Sequence, residues 1–407
     1  MAAILRSHAS DPAPRHSRRQ WSPYPPHTIP GYSSRDPGPD PSPMTDPVPA
    51  QRRRSTRFQK LRVLPRYHVM VFPRRLVLLL VVAAALAPPV SPSAGDRSPA
   101  FLACVDECLR TVCVANPALP LVLALFRWDC RANCQYTCMH HLTDLTSPSN
   151  PAPYDKIMQY HGKWPFWRVA GIQEPASVLF SLFNLYAHLS GIRTIRARLA
   201  PDTWLKPYYL LWGLVAANAW IASALFHSRD TPLSEKLDYF SAAASILYSL
   251  YYSIIRIFRL RFNEHTTLWS IWTAICTILF LAHVLYLSSL PRFDYTYNTI
   301  VNLAVGLLHN ILWLGYSFPA YFPSTYTSAH NTSSKARRKP APIILLTTFA
   351  TLLELLDFPP WYRIIDAHAL WHLSTSFLVP MWYAFLLEDA REEATRNPSS
   401  SSVKLRS

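Results

Sequence analysis

The sequence predicts an all-α polytopic membrane protein: seven transmembrane helices preceded by a small disulfide-rich lumenal domain. Half of the 407 residues are hydrophobic and only nine are glycine, a composition suited to lipid rather than to a water-facing globule. Seven apolar stretches recur in the second half of the chain, most near the ~20 residues that a bilayer crossing needs. Six of the seven cysteines crowd between Cys104 and Cys138.

Charge first suggests a different class. The net charge of +16 is that of many nucleic-acid binders, but fourteen Lys/Arg against four Asp fall within residues 1–75. The remaining excess sits in short loops between apolar runs, where it acts as a topology signal. Nucleic acid is therefore not expected as a partner.

Residues 1–69 read as a disordered, basic, Pro-rich extension, with twelve prolines before Gln51 and no apolar periodicity. Residues 70–94 read as a signal peptide: Met70-Val-Phe-Pro-Arg-Arg75 is a basic start and Leu76–Leu86 an apolar core. On this reading Met70 is the functional start; a signal anchor with a cytosolic tail is the alternative. Residues 95–173 are expected to form a Cys-rich lumenal domain. Cys104, Cys108, Cys113, Cys130, Cys134 and Cys138 are an even, dense set behind a secretory segment, which reads as disulfides in an oxidising compartment. Zinc is the rival ligand, and fifteen disulfide pairings are open. Cys276, inside an apolar run, reads as a packed free thiol.

Residues 174–390 are expected to hold the seven spans, at approximately 175–194, 205–227, 237–258, 268–288, 297–319, 341–358 and 367–388, followed by a cytosolic tail, 391–407. Arg193, Arg196, Arg198 and Lys206 lie between the first two spans. Arg256, Arg259 and Arg261 follow the third, and Lys335, Arg337, Arg338 and Lys339 precede the sixth. By the positive-inside rule these loops are cytosolic, which makes the cysteine region lumenal. The sequon Asn331-Thr332-Ser333 then falls on the cytosolic side and is expected to be unmodified.

That topology gathers a polar constellation at the lumenal face. Ser223 and His227 end the second span, Asp238 lies one turn into the third, and His368 and His372 open the seventh. Four-residue spacing puts each pair on one helical face. Three neutral imidazoles can hold a divalent metal, zinc above all, and leave a position for water. Asp238 is placed to act as general base and then acid, and Ser223 to donate to an oxyanion. The bland readings are packing for Ser223, helix-end charge for Asp238, and packing or hydrogen bonding for His188, His283 and His309. Glu354 and Asp357 are expected to pair with Arg363, and Asp366 to cap the seventh helix. Lys163 and Arg229 read as lumenal cations, solvated at the surface, with a contact to substrate phosphate as the alternative.

Four motifs carry a family resemblance. They are Leu353-Glu-Leu-Leu-Asp-Phe-Pro-Pro-Trp-Tyr-Arg-Ile-Ile-Asp-Ala-His-Ala-Leu-Trp-His372, Trp128-Asp-Cys-Arg-Ala-Asn-Cys-Gln-Tyr-Thr-Cys138, Tyr160-His-Gly-Lys-Trp-Pro-Phe166 and Phe226-His-Ser-Arg-Asp230. Over about residues 95–390 the chain resembles the Per-like family of post-GPI-attachment lipid-remodelling factors. That family belongs to the CREST group of membrane hydrolases, and Ser223, His227, Asp238, His368 and His372 match the group's Ser-x3-His, Asp, His-x3-His pattern. The resemblance implies a metal-dependent phospholipase A2 that removes the sn-2 acyl chain from GPI lipid. Its implied partners are GPI-anchored proteins and membrane lipid, in the endoplasmic reticulum membrane or alternatively the Golgi membrane. The basic extension and Ala118–Leu125 depart from the family pattern. Competing functions are a ceramidase-like amidase, and a non-catalytic cargo or folding factor or receptor that uses a metal structurally.

Overall fold

The structure is a computed structural model that describes residues 93–146, 157–319 and 334–395. The expected extension 1–69, almost all of the expected signal peptide, the sequon and the end of the tail lie outside the described residues. Within them every regular element is helical, and β-structure is limited to isolated bridges such as Tyr160 with Lys163.

The Cys-rich region contains α1 (Pro99–Cys108), which a π-turn at Leu109–Cys113 extends, then α2 (Leu121–Leu125) and α3 (Cys130–Thr146). Ser98 caps α1 by accepting from the Phe101 N–H, and Pro99 takes the first turn, where a missing N–H costs nothing. Cysteines on one face of α1 and its extension meet those on one face of α3. The pairs are Cys104–Cys138, Cys108–Cys134 and Cys113–Cys130, a nested ladder joining two antiparallel segments. All six cysteines are thereby consumed, and the zinc alternative has no thiolate left to use. The apolar segment Ala118–Leu125 folds as the single turn α2, whose Leu123 packs beneath Trp128.

Seven longer helices follow: α4 (Pro175–Arg198), α5 (Lys206–Ser228), α6 (Pro232–Ile257), α7 (Thr266–Ser289), α8 (Tyr295–Ser317), then, after the short α9 (Ser334–Arg337), α10 (Pro340–Leu356) and α11 (Ala367–Thr395). Each overlies one of the seven expected stretches. Their starts carry the local signals that begin helices. Proline occupies the first turn of α4, α5, α6 and α10. Thr231 and Ser234 form a capping box for α6, and Asp294 accepts from the Tyr297 N–H at 2.9 Å. Asp366 accepts from the Ala369 N–H at 2.8 Å and opens α11 as expected. Asp357, in the left-handed region with φ 32°, ends α10 just before Pro359-Pro360.

Five of these helices, α5 to α8 and α11, are long and apolar enough to cross a membrane, which makes this a multi-pass membrane protein. Two expected spans fall outside that set. The 24-residue α4 turns a polar face of Ser177, Ser181, Asn184 and His188 into the bundle and carries three arginines near its end. The 17-residue α10 is short.

Helices α4, α5, α6 and α8 pack in succession, and α11 closes the bundle against α4 and α10. The main core is aromatic, with Tyr209, Trp212, Tyr252, Trp313, Tyr316, Trp382 and Tyr383 interlocked around Ile195 and Leu386. Small residues permit that approach: a Cβ on Gly191 would stand 2.3 Å from the Tyr383 ring, and one on Gly213 would stand 2.5 Å from its hydroxyl. Cys276 is a buried free thiol, in agreement with expectation.

The two ends of the bundle differ in charge. Histidines and acids meet where α5 ends and α11 begins, while bases gather at the opposite end. There Arg256, read from the sequence as one of a set of topology charges, is fully buried. It donates from Nε and a terminal nitrogen to both oxygens of Asp389, each at 2.6 Å. Tyr209 donates to the same carboxylate, and Arg259 and Arg261 reach Glu393.

Candidate functional site

The site is assembled from three helix termini. Helix α5 delivers His227 in its last turn, α11 delivers His368 and His372 in its first two, and residue Glu174, just ahead of α4, lies beneath them. One ring nitrogen from each histidine lies within 4.8 Å of the other two. His227 Nε2 and His368 Nε2 are 3.2 Å apart.

The other ring nitrogens explain this geometry. His227 Nδ1 donates to Glu174 Oε2 at 2.7 Å, and His368 Nδ1 donates to Glu354 Oε2 at 2.6 Å. His372 Nδ1 lies 3.0 Å from Ser181 Oγ. A carboxylate only accepts, so His227 and His368 carry their protons on Nδ1 when neutral, and each Nε2 presents a lone pair. Two lone pairs held 3.2 Å apart repel unless a proton or a metal cation lies between them. Two ligands sharing one zinc at ~2.0–2.1 Å with tetrahedral angles stand about 3.3 Å apart. A carboxylate or hydroxyl behind each imidazole is also the usual support of a metal-binding histidine. His227, His368 and His372 therefore fit a divalent metal.

The remaining predicted residues are less tightly joined. Ser223, buried on α5, has its Oγ 3.1 Å from Ser181 Oγ and so connects to His372 through a chain of hydroxyls. Asp238 is half-buried one turn and a half into α6. Among the described residues no hydrogen bond joins it to a histidine.

Two expected pairings are corrected by the structure. Glu354 binds His368 rather than Arg363, and Asp357 accepts from Gln159 and Trp164. Arg363 turns toward the Cys-rich region, where it donates to Asp144 and to His140. Its sequence neighbourhood gave no hint of partners some 220 residues away.

Comparison with known proteins places these features in a family. The family model described as Per1-like matches residues 120–390. The chain belongs to the Per1-like family. It is 41% identical over 326 residues to the protein PER1 homolog of Schizosaccharomyces pombe, covering 79% of this chain and 94% of that one. It is 37% identical over 320 residues to a Bos taurus protein named GPI-specific phospholipase A2-like PGAP3, and 36% identical over 321 residues to its Homo sapiens counterpart. Each alignment covers 77% of this chain and 93% of the relative. No solved structure matches.

In this Per1-like chain, sequence reasoning missed the supports of the histidines: Glu174, Lys163 and Ser181. Lys163 is no solvated cation. It is mostly buried, bonded to Glu174, 3.6 Å from Asp230 and over the Phe226 ring at 4.0 Å. Burial alone would push the Glu174 carboxyl up, but Lys163 and His227 outweigh it and hold the group ionised far below the usual carboxylate range. Arg229 is likewise engaged, donating to Gln173 and lying 4.4 Å over Trp128. The shared signal was present in the motifs, since Lys163, Trp128 and Asp230 belong to three of the four. What linear order hides is that these motifs meet in one layer.

His188, by contrast, is a core residue as expected, buried with its Nδ1 3.2 Å from the Tyr383 hydroxyl. His309 Nδ1 donates to Asn310 Oδ1, 3.0 Å away, and takes no part in the cluster.

Proposed function

We propose that this Per1-like chain remodels GPI anchors by hydrolysing the sn-2 acyl ester of their phospholipid, as a metal-dependent phospholipase A2. The observation that carries this reading is the meeting of three imidazoles at a helix-end layer, each with its Nδ1 held by Glu174, Glu354 or Ser181. The names of the PGAP3 relatives support the substrate class.

On this reading His227, His368 and His372 hold the metal, with zinc the first choice. When bound, such an ion supplies Lewis acidity and lowers the pKa of a coordinated water to about 7. Asp238 orients the attacking water and takes its proton, then returns it to the departing sn-2 oxygen. Ser223 donates to the oxygen on which charge develops. Water adds to the acyl carbon, the bond from that carbon to the sn-2 oxygen breaks, and the products are a fatty acid and a lyso-GPI lipid. Glu174 and Glu354 hold imidazole tautomers and contribute no bond to the substrate.

The same reading assigns all seven long helices, α4 to α8, α10 and α11, to transmembrane crossings within residues 174–390. The Cys-rich domain, 95–173, and the histidine layer then face the lumen of the endoplasmic reticulum or Golgi, and residues 391–407 face the cytosol. Residues 1–69 and 70–94 remain assigned as extension and signal peptide.

The test is release of a labelled sn-2 chain from a GPI-anchored substrate by purified protein, comparing wild type with His372→Ala. Release by wild type alone supports the proposal. No release from folded, metal-loaded wild type would move a non-catalytic cargo or receptor role ahead.

A further inference from the structure

Helices α4 and α11 part along their outer faces and leave a groove of about 490 Å³, within the range of small-molecule sites. Phe183, Tyr186 and Gly191 line it from α4, and Phe377, Pro380 and Leu387 from α11. From Phe183 to Arg198 it follows α4 for roughly 22 Å at ~1.5 Å per residue. A single leaflet's hydrocarbon is about 15 Å deep, half of ~30 Å, so the groove is longer than one leaflet.

Its floor is closed. Tyr383 fills the space between Gly191 and Gly213, and its hydroxyl is taken by His188. Two of the wall hydroxyls are satisfied within their own helices: Thr194 donates to the Ser190 carbonyl and Ser376 to the Leu373 carbonyl. The lining is therefore mostly apolar. Its rims face outward, with Tyr186 70% and Phe377 68% exposed, on a surface that lipid covers in a membrane.

One end of the groove is cationic. Arg198 lines it there, and the Arg391 guanidinium comes within 3.5 Å of the Arg198 carbonyl oxygen. Both side chains are exposed. Three acids of α11 near this mouth are held by other bases, Glu388 by Lys339, Asp389 by Arg256 and Glu393 by Arg259 and Arg261. This mouth is at the far end of α4 from Glu174, and hence at the membrane face opposite the histidines.

We propose that this groove binds one anionic glycerophospholipid of the leaflet opposite the histidine layer, its acyl chain between α4 and α11 and its phosphate at Arg198 and Arg391. The mostly apolar lining accommodates the chain, and the two arginines select the headgroup. The site is separate from the histidine cluster; it rests on the proposed membrane crossing of α4 and not on hydrolysis.

The test reconstitutes the full chain in phosphatidylcholine vesicles containing phosphatidylserine with a photoactivatable acyl chain, and maps the crosslinks by mass spectrometry. A phosphatidylcholine probe with the same chain is run alongside. Crosslinks should concentrate in Phe183–Arg198 and Ser376–Leu387, with the anionic probe favoured by about fivefold for each arginine engaged. Arg198→Gln with Arg391→Gln, both surface changes, should bring the two probes level. Ser190→Trp, which fills the groove from its exposed wall, should reduce both, and His372→Ala should change neither. Equal labelling of wild type by the two probes, or labelling spread evenly over α7 and α8, would overturn the proposal. So would an anionic preference that survives loss of both arginines.

Discussion

Glu174 Oε2 accepts a hydrogen bond from His227 Nδ1 at 2.7 Å, and Lys163 holds the same carboxylate from its other oxygen. The residue ahead of one helix thereby fixes the imidazole at the end of the next. A carboxylate fully ionised by its lysine is the strongest acceptor available for that N–H.

Removing this support should weaken the proposed metal site without emptying it of histidines. Glu174→Ala is expected to lower metal affinity or acyl release by about 10–100-fold, while Glu174→Gln, which keeps an acceptor, should lose less. Metal content per chain by elemental mass spectrometry, read beside activity, checks this. Equal metal retention in both variants and wild type would show that Glu174 does not orient the ligand.

The disulfide ladder makes a mapping prediction. Non-reducing peptide analysis should recover Cys104 with Cys138, Cys108 with Cys134 and Cys113 with Cys130. The bridged residues are 34, 26 and 17 apart, so chain entropy assigns about 3–4 kcal/mol to each, most to the outermost. Replacing Cys104 and Cys138 together by serine should therefore loosen the region more than replacing Cys113 and Cys130, as hydrogen exchange would register.

His140 gives this region an acid limit. Arg363 donates to its Nδ1 at 3.0 Å, so Nδ1 must be unprotonated, and Nε2 donates to the Phe166 carbonyl at 3.0 Å. Burial first, and then Arg363 and Arg168, push its pKa from 6.5 down to about 4, against the upward pull of the Phe166 bond. Because the folded value is depressed, the contribution of His140 is complete above pH 6.5 and is lost as pH falls toward 4. The loss should reach roughly 2–3 kcal/mol of local stability, at ~1.4 kcal/mol per pKa unit with some solvent relief. Protection factors in α3, corrected for the intrinsic pH dependence of exchange, should fall as pH drops through that window in wild type and stay flat in His140→Gln.

The Arg256–Asp389 pair offers a double-mutant test at the other end. Removing either partner alone strands a buried charge and should cost about 3–5 kcal/mol. Replacing both, as Arg256→Met with Asp389→Leu, should cost clearly less than the sum of the two. Thermal unfolding in detergent measures the cycle, and strict additivity would mean that the two charges do not act as a pair.

Helix positions were legible in the sequence because helical period, proline starts and caps are local. All seven apolar stretches became helices, and Asp366 capped α11 through a bond spanning three residues. The histidine pairs were legible for the same reason, since a four-residue spacing fixes a shared face whatever surrounds it. Glu354 was misassigned because chain proximity favoured Arg363, whereas packing of α10 on α11 brought the carboxylate to His368.

The sequence by itself determined a helical membrane protein with a cysteine-dense region and five polar residues at helix ends. Only the tertiary structure decided which cysteines pair, which acids hold the imidazoles and that Arg256 is buried. His227 meets Glu174 from 53 residues away, and His372 meets Ser181 from 191. Such contacts depend on which helices lie side by side. That is settled by the mutual fit of all their buried faces at once, including glycines at 191 and 213 that admit a tyrosine from α11. No stretch of sequence carries that fit alone.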